Sequence, residues 1–178
     1  MDQPRQRILI VDDMPTNIRI LGEALRKDHA VSIATNGEQA LAALAGDTPP
    51  DLVLLDVMMP GMDGFEVCRR IKADAAVKDI PVIFVTSLDE AVDEERGLSL
   101  GAVDYIAKPF SLPVVLARVR NHLELARKNR MLERLALVDG LTEVANRRGL
   151  DEALDREWRR ASREESSLGV LLCDNDHF

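Results

Sequence analysis

The chain has 178 residues, 46% hydrophobic and 30% charged, with a net charge of −8, a composition that fits a soluble globular protein of one ordinary domain plus part of another. The charge is uneven: residues 1–110 hold 11 basic and 19 acidic side chains, residues 111–138 hold 6 and 2, and residues 139–178 hold 6 and 10. The acidic first block argues against a nucleic-acid surface there, no apolar run approaches the ~20 residues that span a bilayer, and the N-terminal MDQPRQR lacks the apolar core of a secretory signal.

Arg7–Val11 (RILIV) is a short apolar strand that Asp12 and Asp13 end. Pro15 then opens an amphipathic helix carrying Ile18, Leu21 and Leu25 on one face. Ala30–Ala34 is the second strand, Asn36-Gly37 punctuates it, and Glu38–Ala45 is an alanine-rich helix. The third strand, Leu52–Asp56, ends in a lone acid, and a turn with one proline and two glycines leads into a helix over Asp63–Ala73. Pro81–Thr86 is the fourth strand, Glu90–Leu100 a polar-faced helix closed by Gly101 as C-cap, and Val103–Ala107 the fifth strand, ended by Lys108-Pro109. Strand and helix alternate five times, and the strands are near-continuous apolar runs. This pattern predicts an α/β fold: a doubly wound, five-stranded parallel sheet with helices on both faces.

Leu112 to Val138 reads as one long helix, about 27 residues and so roughly 40 Å. A helix of that length projects beyond a domain of this size. Either its apolar stripe pairs with a second copy in a parallel dimer, or only its first half packs on its own sheet and the rest is a solvated connector. Its basic side chains read as a solvated helix face rather than a DNA stripe. Asp139–Asn146 breaks the helix, Arg147–Glu165 forms a charged helix with Leu150, Leu154 and Trp158 in line, and Leu168–Cys173 is a last apolar strand. Cys68 and Cys173 stand singly in apolar patterns, which suits buried thiols in a reducing, cytoplasmic compartment.

Asp12, Asp13 and Asp56 each lie at or just past a strand end. If the first and third strands are neighbours, as in a doubly wound sheet, the acids converge at the edge where such sheets bind ligands. Three carboxylates so close repel one another, and a hard divalent cation such as Mg²⁺ relieves the conflict. Thr86 ends the fourth strand and Lys108 the fifth, so a hydroxyl and an ammonium join the group. A cation, a lysine and a hydroxyl around one carboxylate suit phosphoryl transfer to Asp56. Taken singly, Asp12 or Asp13 reads better as a helix N-cap.

LIVDD, LLDVMMPGMDG, VTS and AKPF occur in this order over about residues 5–122, and closely resemble the receiver domain of two-component response regulators. The resemblance implies that Asp56 accepts a phosphoryl group from a histidine kinase or phosphotransfer protein. It also implies that Asp13, Asp56 and the Met58 backbone carbonyl hold Mg²⁺ with Asp12 acting through water, and that Thr86 and Lys108 bind phosphoryl oxygens. Tyr105 would be the aromatic that moves inward as the Thr86 hydroxyl turns to phosphate, and Lys108-Pro109 would be cis. The alternative for Tyr105 is an ordinary strand aromatic, and the switch is the favoured reading.

DGLTEVANRR (Asp139–Arg148) and LLCDNDHF (Leu171–Phe178) resemble the opening of a diguanylate cyclase domain, the type named for its Gly-Gly-Asp-Glu-Phe loop. Glu143-Val144 departs from the commoner Gly-Leu. The resemblance implies that Asp174 holds a catalytic metal, that Asn175, Asp176, His177 and Phe178 approach GTP, and that Asp139, Arg147 and Arg148 are structural. The loop itself and the guanine-binding residues of the family do not occur by Phe178. The expected organisation is therefore a receiver (1–122), a helical linker (123–138) and a truncated cyclase start (139–178), itself inactive as a cyclase and, after about residue 165, either poorly ordered or packed on a neighbouring chain. The expected function is a response regulator controlling a diguanylate cyclase by homodimerisation, with GTP bound only by the full-length parent and neither DNA nor membrane as partner. The alternative is a stand-alone receiver acting through phosphorylation-dependent protein binding.

Overall fold

The computed structural model describes residues 5–87, 97–136 and 144–171. Among the described residues these elements follow in chain order: β1 (Arg7–Val11), α1 (Pro15–Leu25), β2 (Ala30–Ala34), α2 (Gly37–Leu44), β3 (Leu52–Leu55), α3 (Gly64–Ala73), β4 (Val82–Thr86), β5 (Asp104–Ala107), α4 (Leu112–Ala136) and α5 (Arg147–Glu164). Of the expected helix over 90–100, residues 97–99 are helical, and 90–96 lie outside the described residues. Residues 137–143 also lie outside them, and with them most of the expected break after the long helix.

The sheet is five-stranded and all-parallel, in the order β2-β1-β3-β4-β5. The doubly wound fold expected from the alternation is the one observed. Along β1, β3 and β4, side chains alternate between two apolar layers, as the two-residue period requires. Leu9, Val11, Val53, Leu55, Val82 and Phe84 enter the first layer, with residues of α2 and α3. Ile8, Ile10, Leu52, Leu54, Ile83 and Val85 enter the second, with Leu21 and Leu25 of α1 and Val115, Val119 and Leu123 of α4. Every residue of β3 and β4 is buried, which explains why these strands read as unbroken apolar runs.

Helix starts follow local chemistry. Asn36 caps α2 by accepting from the Gln39 N–H, and Asp63 caps α3 by accepting from the Glu66 N–H at 2.7 Å. Pro15 stands at the first turn of α1, whose cap residue Met14 offers no side-chain bond. Asn146 caps α5 by accepting from the Gly149 N–H at 3.0 Å.

The chain divides into two compact units, residues 1–127 and 128–178. In the second unit α5 forms where the sequence places it, but residues 168–171, the described part of the expected strand over 168–173, carry no strand. Leu171 is 86% exposed. The run is apolar enough for a strand, yet its backbone groups need an edge to pair with. Cys173 lies outside the described residues. No helix among the described residues is long and apolar enough to cross a membrane.

Candidate functional site

The site is built by the order of the strands. The chain reverses its winding between β1 and β3, which lie side by side with Val11 opposite Leu55. The Asp56 N–H donates to the Val11 carbonyl at 2.8 Å, so the residues following both strands leave the sheet together. This is the switch point at which open α/β sheets bind ligands. Each of Asp12, Asp13 and Asp56 offers a carboxylate oxygen, and these oxygens lie within 4.8 Å of one another.

Asp12 and Asp56 are 2% and 4% exposed, while Asp13 is half-buried. Between the two buried acids lies the Lys108 ammonium, its Nζ 2.7 Å from Asp12 Oδ2 and 2.5 Å from Asp56 Oδ2. Lys108 follows β5, and its N–H donates to the Thr86 carbonyl at 2.8 Å, which ties the ends of β4 and β5 together. Burial by itself would lower the pKa of this ammonium. Its hydrogen bonds to Asp12 and Asp56, and their charges, outweigh burial and raise it. Thr86 is fully buried at the end of β4, and the Lys108-Pro109 bond is cis. Tyr105, on β5, packs partly buried against the first core layer.

Asp12 accepts from the Met14 N–H at 2.8 Å and from Lys108. Met14, not Asp12 or Asp13, is the cap residue of α1, so neither acid is the helix cap that each reads as when taken singly. Met58 presents its N–H to Asp56 Oδ1 at 3.2 Å. An open hollow beside Asp13 is lined by Val57, Met58, Met59, Pro60 and Asp63.

The donor set fits a hard divalent cation. All three side chains are carboxylates, and octahedral Mg²⁺ with oxygens at about 2.1 Å requires ligands only a few ångströms apart. Asp12 is already engaged by hydrogen-bond donors. Asp13 makes no side-chain hydrogen bond among the described residues, which leaves it the better direct ligand alongside Asp56.

Three features escaped sequence reasoning. The Asn17 amide, in the first turn of α1, lies 3.0 Å from each oxygen of Asp12. Asp104, at the start of β5, accepts from Arg118 and pairs with His122 Nε2 at 3.0 Å, both on α4. Gly64, the first residue of α3, abuts the Asp56 peptide. An asparagine five residues after Asp12 and an Arg-x-x-x-His pair on a helix are the only local hints, and neither names its partner. Cys68, by contrast, is buried as expected, and burial pushes its thiol up to about 11. Of the residues of the second resemblance, Asp139 and Asp174–Phe178 lie outside the described residues, while Arg147 opens α5.

Comparison with known proteins agrees with this geometry. The family model of the response regulator receiver domain matches residues 8–120. A solved structure described as a beryllofluoride-activated DrrB receiver domain is 33% identical, with a TM-score of 0.62, covering 67% of this chain and 98% of that one. The chain belongs to the response regulator receiver family. A second family model, diguanylate cyclase (GGDEF domain), matches residues 136–178. Response regulator PleD of Caulobacter vibrioides is 39% identical over 173 residues, covering 92% of this chain and 38% of that protein. The DNA-binding response regulator MtrA of Mycolicibacterium smegmatis is 44% identical over 124 residues, covering 69% of this chain and 53% of that protein. The chain thus spans between about a third and about half of the length of these curated relatives.

Proposed function

We propose that this chain is the phosphorylation-controlled input of a response regulator whose output is a diguanylate cyclase, and that Asp56 is the phosphoacceptor. The observation that carries the reading is the convergence of Asp12, Asp13 and Asp56 at one sheet edge with Lys108 bridging two of them. In this reading Asp56 attacks the phosphorus of a phosphohistidine on a kinase or phosphotransfer protein. A P–O bond forms to a carboxylate oxygen, the P–N bond breaks, and the imidazole leaves with the electron pair. Asp13, Asp56 and the Met58 carbonyl would hold Mg²⁺, with Asp12 acting through water. When bound there, the cation neutralises charge on the carboxylates and on the transferring phosphoryl oxygens. Lys108 and Thr86 turn to those oxygens, and Tyr105 follows the threonine inward, a two-state element biased by charge. The hollow beside Asp13, with exposed Met58 in its lining, gives a donor side chain an approach.

The receiver family alone does not select an output, since relatives such as MtrA are described as DNA-binding. The match of residues 136–178 to the cyclase family favours that output over DNA binding. We assign residues 1–122 to the receiver, 123–138 to a linker that continues α4, and 139–178 to the start of the cyclase domain, in a cytoplasmic protein. Two GTP-bound cyclase domains must meet to form cyclic di-GMP, and a receiver dimer raises their effective concentration.

Light scattering with Mg²⁺, with and without beryllofluoride, on the wild type and Asp56→Ala tests both steps. A rise from monomer to dimer that needs both beryllofluoride and Asp56 is the expected result. A monomer in every condition sinks dimerisation and favours a receiver acting by binding other proteins.

A further inference from the structure

We infer that Asn17 is a positioning residue: it grips Asp12, and through Asp12 it sets Lys108 beside Asp56. The inference rests on the phosphoacceptor reading and adds to it a residue outside the acid–lysine–threonine set.

The Asn17 Nδ2 lies 3.0 Å from both Asp12 Oδ1 and Asp12 Oδ2. The Met14 N–H reaches Oδ1 at 2.8 Å, and the Lys108 ammonium reaches Oδ2 at 2.7 Å. A carboxylate offers about four acceptor sites, and these contacts engage both oxygens of a side chain that is 2% exposed. The amide must present its nitrogen, because its oxygen would face a carboxylate and be repelled. Carboxylate torsions are soft and roughly two-fold. Among the described residues, without Asn17 one donor on each oxygen restrains Asp12.

The consequence falls on Lys108. Its four-carbon stem is flexible, and its ammonium has two carboxylate anchors, Asp12 and Asp56. Asp56 is the reacting group, so its hold on Lys108 changes when a phosphoryl group arrives. Asp12 is the anchor that does not react, and Asn17 is what keeps it still. The amide is not needed to close the helix: the Asn17 backbone N–H already donates to the Met14 carbonyl at 3.0 Å, and Pro15 starts α1.

The test uses the whole chain with Asn17→Ala and the near-isosteric Asn17→Leu. In metal-free protein labelled with ¹⁵N-lysine, the Lys108 ammonium protons should exchange at least tenfold faster in both variants than in wild type. With Mg²⁺ and acetyl phosphate, phosphorylation of Asn17→Ala should be about tenfold slower. In a Lys108→Ala background, the same change should cost less than twofold, because residues acting through one another are not additive. Unchanged Lys108 exchange, or an equal loss in both backgrounds, overturns the inference and leaves Asn17 a helix brace. If wild type itself takes no phosphoryl group, the phosphoacceptor reading fails, while the exchange measurement still judges Asn17.

Discussion

A β-carbon on Gly64 would stand 2.2 Å from the carbonyl oxygen of Asp56 and 2.8 Å from the Cα of Val57. The bare α-carbon lets the first turn of α3 press against the peptide that follows Asp56, and the Gly64 N–H donates to the Val57 carbonyl at 2.9 Å. The clash of a side chain here is with backbone, which cannot rotate aside. Gly64→Ala should destabilise the chain by about 1–3 kcal/mol, as overpacking does, and slow phosphorylation of Asp56. Gly61 lies in the same loop with φ at 79° and open space around it. Gly61→Ala should cost about 1–2 kcal/mol from backbone strain alone and leave phosphorylation nearly intact. Urea melts and acetyl phosphate kinetics on both variants separate the two, and equal kinetic losses would remove Gly64 from any role at the acceptor.

Lys108 counters two buried carboxylates at once, with its own side chain only 14% exposed. Lys108→Met keeps the stem and removes the charge, which leaves Asp12 and Asp56 uncompensated. Breaking a buried pair in this way typically costs about 3–5 kcal/mol. The loss should be largest in EDTA and shrink when Mg²⁺ is added, since a cation bound only by the folded state stabilises it. Urea unfolding in the two buffers measures the difference. A loss that Mg²⁺ leaves unchanged would argue that the acids do not share a cation.

Asp104 fastens β5 to α4. Burial would raise its pKa, but the hydrogen bonds from Arg118, the Tyr105 N–H and His122, with the Arg118 charge, bring it below the usual carboxylate range. A carboxylate whose pKa is depressed on folding lends stability that is complete above its unfolded value, about 3.9, and is lost as pH falls through the lower folded value. Asp104→Asn should therefore melt lower than wild type near pH 7. The gap should narrow as both are taken below about pH 4. Thermal melts across that range test this, and a gap independent of pH would show that the ionised carboxylate is not what the clamp uses.

Leu125 and Leu132 are seven residues apart on α4 and are 54% and 64% exposed. Such spacing puts them on one helical face, the arrangement of a coiled-coil seam. Leu125→Glu with Leu132→Glu should abolish the proposed beryllofluoride-dependent dimer and leave Asp56 phosphorylation within about twofold, roughly 0.4 kcal/mol. A dimer that survives both changes would move the interface to the receiver face.

Much of the fold could be read before any coordinates. The strands announced themselves because both faces of the sheet are covered, which makes Leu52–Leu55 and Val82–Thr86 unbroken apolar runs. The acids, Thr86 and Lys108 could be placed because each ends a strand, and strand ends gather at one edge. Asn17, Gly64 and the Asp104 clamp could not, because their meaning lies in a partner that no local pattern specifies. His122 is 18 residues from Asp104, and a glycine does not reveal what it leaves room for. The run at 168–171 failed the other way: its apolarity was visible, but pairing is a property of two segments and not of one.

The bridging lysine has one further consequence. Three carboxylates and one ammonium leave the pocket two formal negative charges in excess, the amount that a single divalent cation cancels. A phosphodonor arriving first meets a pocket of its own sign, whereas one arriving after the cation meets an electrically balanced one. In the proposed function, the residues of the site would thereby impose an order of arrival, and the concentration of free divalent ion would gate how quickly an upstream signal is written onto Asp56.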